Sequence, residues 1–158
     1  MRASKDLTPA NLGEIAEEAI DRFGPTLSAQ GFDVNVDVPS SLPFVLVNRP
    51  AIVHAVQNLI DNAIKYASAD HSINVAIAVN GSYVKLTVAD KGMGIPKDDV
   101  PHVFEQFYRG QNATTRGSGL GLAIVYRIIH YHGGRVQVHS EVGSGTEVDL
   151  FLPKMAEA

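Results

Sequence analysis

Apolar positions along the chain recur with two periods, and the switches between them divide it into elements. Leu12, Ile15, Ala16, Ala19, Ile20 and Phe23 repeat at helical spacing behind Thr8-Pro9. That pair suits an N-cap followed by Pro at the first helical position, so an amphipathic helix is expected there. After Gly31 the pattern alternates: Phe32, Val34, Val36 and Val38 stand against Asp33, Asn35 and Asp37, which predicts a half-buried strand. Phe44 to Val47 predicts a short second strand, and Arg49-Pro50 opens a helix expected to end near Ala67 to Asp70. Ile73, Val75, Ile77 and Val79, then Asn80-Gly81, then Val84, Leu86 and Val88, describe an antiparallel hairpin. Leu122 to Ile129 predicts a buried helix stopped at His132-Gly133-Gly134. Arg135 to Ser140 and Thr146 to Leu152 predict two closing strands joined through Gly143-Ser144-Gly145, with a loose tail over 154–158.

Three stretches break these patterns and carry the candidate chemistry. In the second long helix, Asn58, Asn62, Lys65 and Tyr66 fall on one stripe at about 100° per residue, beside an apolar stripe of Ile52, Val56, Leu59, Ile60, Ala63 and Ala67. Asn is a poor helix former, so paired amides sharing a face with a lysine point to a ligand rather than to packing. Asp90 has the phase of Val84, Leu86 and Val88, so its carboxylate is expected on the apolar side, where it needs a partner. Gly117-Ser118-Gly119-Leu120-Gly121 opens a helix, and a helix start offers free N–H groups and a positive dipole end to phosphates. It is not a P-loop, since no Gly-Lys-Ser/Thr follows, and no strand precedes it directly as a dinucleotide fold requires.

Between Asp90 and that turn, residues 91–118 carry four glycines, two prolines and no long periodic segment, which exceeds ordinary connections and suggests a lid. Within it, Val100 to Tyr108 predicts a short helix whose Val103, Phe104, Phe107 and Tyr108 clip the loop to the body.

Length and composition narrow the partners. A chain of 158 residues suits one domain, and no apolar run nears the roughly 18 residues that span a bilayer. With a polar start and no signal-peptide pattern, a cytoplasmic location is expected. The absence of cysteine excludes disulfides and thiolate chemistry. A net charge of −4 leaves no basic field for nucleic acid.

With these residues in order, the chain resembles the catalytic ATP-binding domain of sensor histidine kinases. Asn58 to Tyr66 looks like the N box, Asp90 to Ile95 the G1 box, Phe104-Glu105-Gln106-Phe107-Tyr108-Arg109 the F box, and Gly117 to Gly121 the G2 box. The resemblance covers nearly all of residues 1–158. It implies an α+β fold, a two-layer α/β sandwich with a mixed five-stranded sheet on three helices and a long ATP lid, shared with gyrase and MutL.

It also implies roles. Asn62, helped by Asn58, would hold Mg²⁺ bridging the phosphates; Lys65 and Tyr66 would contact phosphate and nucleotide; Asp90 would accept the adenine amino hydrogen. Arg109 would stabilise γ-phosphate charge during transfer, and Arg116 is a weaker phosphate candidate. Gly92, Gly94 and Ile95 would shape the turn beside the base, while Gly117, Ser118, Gly119, Leu120 and Gly121 would form the lid's end and the phosphate-facing helix start. The implied cofactors are ATP and Mg²⁺, and the implied activity is phosphorylation of a histidine in two-component signalling.

None of His54, His71, His102, His130, His132 or His139 is followed by an acidic residue as the family's acceptor is, so each is expected at a surface or in packing. The acceptor hairpin, the sensor and any membrane anchor are expected in a parent kinase, with a response regulator downstream and this fragment monomeric. Two other readings share the fold: a degenerate module that holds nucleotide without transferring phosphate, and a serine kinase or ATPase. The sequence departs from the family at Asn48-Arg49-Pro50, where an Asp often stands, which concerns only capping.

Overall fold

The structure, a computed structural model, describes residues 7–105 and 121–156. Helix α1 (Leu12–Asp21) starts at Asn11, whose side-chain oxygen accepts the Gly13 N–H at 2.8 Å and the Glu14 N–H at 3.3 Å. The start expected at Thr8-Pro9 is therefore displaced. Thr8–Ala10 is strand β1 instead, because Asn is the stronger cap and the next acidic residue, Glu14, lies at its third helical position. After α1, Gly24-Pro25 starts a further short helix, α2 (Gly24–Ala29), which the periodicity does not distinguish from a loop. Strand β2 (Asp33–Asp37) follows, and β3 (Val45–Val47) pairs with β1 in a separate two-stranded ribbon rather than in the main sheet.

Helix α3 (Arg49–Lys65) is capped by Asn48, whose side chain accepts the Ala51 N–H at 3.0 Å. It ends at Lys65, a little before the expected boundary. Strands β4 (Ser72–Asn80) and β5 (Tyr83–Asp90) form the predicted hairpin. Its loop is Gly81-Ser82, because Asn80 is still paired, with Tyr83. A single 3-10 turn at Val100–His102 replaces the expected longer helix among the described residues. Helix α4 (Gly121–Tyr131) and strands β6 (Arg135–Glu141) and β7 (Gly145–Pro153) complete the chain.

The sheet has the order β2-β4-β5-β7-β6, with β2 and β4 parallel and every other pair antiparallel. One face presents Ile73, Val75, Val84, Leu86, Leu150 and Leu152 to the helices, all at most 1% exposed. Leu12 and Ile15 of α1, Ile52, Val56 and Ile60 of α3, and Val125 and Ile129 of α4 close the core from the other layer. This is the expected two-layer sandwich of three long helices on a mixed five-stranded sheet.

His132 ties two helix ends together. Its Nδ1–H donates to the Ile128 carbonyl at 2.7 Å and its Nε2 accepts the Asn48 N–H at 3.1 Å, so one neutral tautomer satisfies the close of α4 and the start of α3. The tail is not loose at its beginning. The Lys154 N–H donates to the Ser82 carbonyl at 2.9 Å and the Met155 N–H to the Phe44 carbonyl at 2.8 Å, because β7 continues its pairing past Pro153 toward β3.

Candidate nucleotide site

The apolar stripe of α3 fixes the direction of its polar one. With Val56, Leu59, Ile60 and Ala63 buried against the sheet and α4, Asn58 and Asn62 are half-buried one turn apart at the layer's margin. The Asn58 amide nitrogen donates to the His54 carbonyl at 3.0 Å, which leaves its side-chain oxygen turned away from its own helix. Both side-chain amides face Gly121 of α4. A Cβ on Gly121 would stand 3.3 Å from Asn62 Oδ1 and 3.5 Å from Asn58 Oδ1. Amide oxygens from two turns of α3 therefore converge beside the first turn of α4, and hard oxygen donors next to a helix start suit phosphate and a small divalent cation.

At the other end of the site, Asp90 closes β5 in the phase of the core, as its parity predicts, opposite Thr146 of β7. Its carboxylate accepts the Gly92 N–H at 2.8 Å and is also bonded by the Thr146 backbone N–H. Burial nevertheless outweighs both bonds and raises its pKa above the ordinary carboxylate value.

The turn after Asp90 is fastened on both sides. The Met93 N–H donates to the Tyr66 carbonyl at 3.1 Å, and the Met93 carbonyl accepts the Gly143 N–H at 3.0 Å. Gly92 is required here, since a Cβ would overlap the Tyr66 carbonyl oxygen. Gly94 has φ +75°, and a Cβ there would overlap the Glu141 carbonyl. The Ile95 N–H donates to Ser140 Oγ at 2.8 Å, and Ser140 Oγ–H donates to the Gly145 carbonyl at 3.0 Å. That bond uses Ser140's only proton, so the Thr146 hydroxyl, 2.8 Å away, is the donor between the two.

Ser140 and Thr146 were not legible as site residues in the sequence. Each looks like an ordinary strand position, and only the β6–β7 register sets them opposite one another at the level of Asp90. Tyr66, the C-cap of α3, is half-buried and joins the two ends of the site. From Asn58 to Tyr66 the helix advances about 12 Å at 1.5 Å per residue, a length on the scale of a nucleotide from base to phosphates.

Lys65 is exposed and paired with Asp61 at 2.8 Å. A partner for its charge thus already sits on the same helix, and Asp61 was not singled out from sequence. The root of the expected lid is docked: Val103 is buried, and the Phe104 ring lies 5.3 Å from that of Tyr126 on α4. Gln106, Phe107, Tyr108, Arg109, Arg116, Gly117, Ser118, Gly119 and Leu120 lie outside the described residues.

Residues 47–156, which hold both ends of this site, match the family model described as histidine kinase-, DNA gyrase B-, and HSP90-like ATPase. The chain belongs to that family. This ATPase domain is similar to the sensor-like histidine kinase SenX3 of Mycobacterium tuberculosis, 36% identical over 156 residues, which are 97% of this chain and 38% of SenX3. It is also similar to the sensor histidine kinase WalK of Bacillus subtilis, 36% identical over 143 residues, 87% of this chain and 23% of WalK.

Among solved structures, full-length ShkA in complex with AMPPNP matches with a TM-score of 0.84 at 30% identity, covering 100% of this chain and 33% of that one. The mycobacterial sensor histidine kinase MprB matches with a TM-score of 0.82 at 28% identity, covering 95% and 100% respectively. The chain thus corresponds to the catalytic ATPase domain of histidine kinases and spans well under half of SenX3 and WalK. Among the described residues, no helix is long and apolar enough to cross a membrane.

Proposed function

We propose that this chain is a single catalytic domain that binds Mg·ATP and supplies the γ-phosphoryl group to a histidine on a helical hairpin of a parent kinase, within two-component signalling. The observation that carries the reading is the convergence of the Asn58 and Asn62 oxygens on the start of α4, with the half-buried carboxylate of Asp90 at the other end of the site. Asp90 selects adenine by accepting from its exocyclic amino group. Asn58 and Asn62 fit a magnesium ion, which takes few protein oxygens beside phosphate oxygens and waters. When bound, that ion would neutralise charge on the phosphate chain.

In the transfer, an imidazole nitrogen of the acceptor forms a bond to the γ-phosphorus as the bond to the bridging oxygen breaks. The electron pair leaves with ADP. Arg109 is assigned to the developing γ-phosphate charge, Lys65 to phosphate or to Asp61 in exchange, and Gly117 to Gly121 to the backbone that approaches the phosphates. The isolated chain is taken as a monomer that phosphorylates itself poorly or not at all, and the parent kinase as membrane-anchored with a response regulator downstream.

The test is calorimetric titration with ATP, with and without Mg²⁺, followed by transfer from labelled ATP to a separately supplied acceptor hairpin. Binding strengthened by Mg²⁺ and an acid-labile label on the hairpin are expected. No binding at millimolar ATP would remove the nucleotide reading. Binding without transfer would favour a module that only holds nucleotide, and an acid-stable label a serine kinase.

A further inference from the structure

On the sheet face turned away from the helices, His139 of β6 stands directly opposite Glu147 of β7, and Asp149 follows two residues later on the same face. The imidazole and the two carboxylates each offer a ligand atom, and these atoms all lie within 4.8 Å of one another. Ligands sharing a cation at bonds of about 2.0–2.2 Å stand about 3–4.4 Å apart, so small side-chain rotations bring the three onto one centre. We propose that His139, Glu147 and Asp149 form a binding site for a divalent cation of the zinc class, separate from the nucleotide site.

Several features make this more than an incidental surface ion pair. The Asp149 side chain is only 5% exposed although it lies on the outer face of the sheet. Thr87 of β5 donates to its Oδ1 at 2.7 Å. That bond fixes the carboxylate and leaves Oδ2 directed toward His139, the arrangement by which outer groups orient metal ligands. His139 Nε2 lies 3.4 Å from Oδ2, longer than the roughly 2.7–2.9 Å of a charge-assisted hydrogen bond, so this ion-pair contact is a loose one.

The Glu147 carboxylate lies within 4.8 Å of both partners, so a cation here would sit among two carboxylates and an imidazole. Lys85 of β5, two residues before Thr87 on the same face, also acts on the Glu147 carboxylate. The His139 side chain is 63% exposed, which gives the ion access from solvent and leaves coordination positions for water. One nitrogen and two oxygens favour zinc and its borderline neighbours over magnesium or calcium, which take oxygen alone.

The site is tested by calorimetric titration of the chain with zinc chloride, without nucleotide, for wild type, His139→Ala, Glu147→Gln and Thr87→Val. One equivalent bound at micromolar or tighter affinity is expected. The two ligand variants should each weaken it by at least about ten-fold, and Thr87→Val, which touches no ion, by about 10- to 100-fold. ATP affinity in the same samples reports that each variant is folded. Absence of zinc binding to wild type, or binding that His139→Ala and Glu147→Gln leave unchanged in folded protein, would overturn the proposal; the second outcome would assign the zinc to other histidines.

Discussion

Asp90 accepts the Gly92 N–H at 2.8 Å across two residues, so the residue assigned to the base also holds the turn that lies beside it. An ionised carboxylate has enough lone pairs to keep Gly92 and Thr146 and still accept from adenine. A carboxamide has one acceptor oxygen, and its nitrogen would face a donor. Asp90→Asn is therefore expected to lower ATP affinity by about 1–3 kcal/mol with the fold retained. Calorimetric titration decides it, and unchanged affinity would refute the role of Asp90.

The same burial gives a pH dependence. Asp90's pKa in the folded chain is raised above the ordinary aspartate value of 3.8, so between these two values the folded state holds a proton that the unfolded state has released. Stability contributed by this group is then fully present below the unfolded pKa and falls as pH rises through the folded one. Adenine recognition runs the other way, because only the ionised form can accept at every oxygen. As pH is lowered, ATP affinity is expected to fall before an ordinary aspartate would protonate, and Asp90→Asn should abolish that part of the profile. A wild-type binding profile that coincides with the variant's would rule this out.

Gly92 is packed beneath the Tyr66 carbonyl, which already accepts the Met93 N–H. Gly92→Ala forces backbone against backbone, which no rotamer change relieves, and is expected to cost about 1–3 kcal/mol of stability. Because the displaced segment begins at Asp90, ATP affinity should fall in the same variant. Wild-type values for both quantities would show that the turn accommodates a side chain.

How much of this was legible follows from what each feature depends on. The Asn58–Tyr66 stripe and the phase of Asp90 rest on local period alone, and α3 and β5 carry them as expected. The start of α1 failed because two capping signals compete within four residues, and pairing of Thr8–Ala10 with β3 decides for Asn11. Ser140, Thr146 and the buried Asp149 were invisible for a different reason. Their roles arise from cross-strand register, and β7 is covered on its outer face by Arg135 stacked over Phe151 at 4.5 Å and by the Thr87–Asp149 bond, so its burial does not alternate as a one-sided strand's would.

His132 offers a test away from the nucleotide. Its ring spans the Ile128 carbonyl and the Asn48 N–H, so His132→Ala leaves the part-buried Asn48 N–H without its partner and the Ile128 carbonyl with only the residue's own backbone N–H at 3.3 Å. A loss of about 1–3 kcal/mol is expected, seen as a melting temperature lower by about 2–4 °C per kcal/mol for a domain of this size. ATP affinity should not change. An unchanged melting temperature would mean that water replaces the imidazole without cost.

Asn62→Ala separates the cation from the base. The Asn62 oxygen faces the start of α4, so its loss should remove the strengthening of ATP binding by Mg²⁺ while leaving affinity for adenosine nearly intact. Asn58→Ala is expected to act in the same direction and more weakly, since its oxygen lies at 3.5 Å from a Cβ on Gly121 against 3.3 Å for that of Asn62. Titrations of each variant with ATP and with adenosine, with and without Mg²⁺, measure both terms. Equal losses for the two ligands, independent of Mg²⁺, would make Asn62 a structural residue of α3 and would leave the convergence on Gly121 as a packing contact between helices.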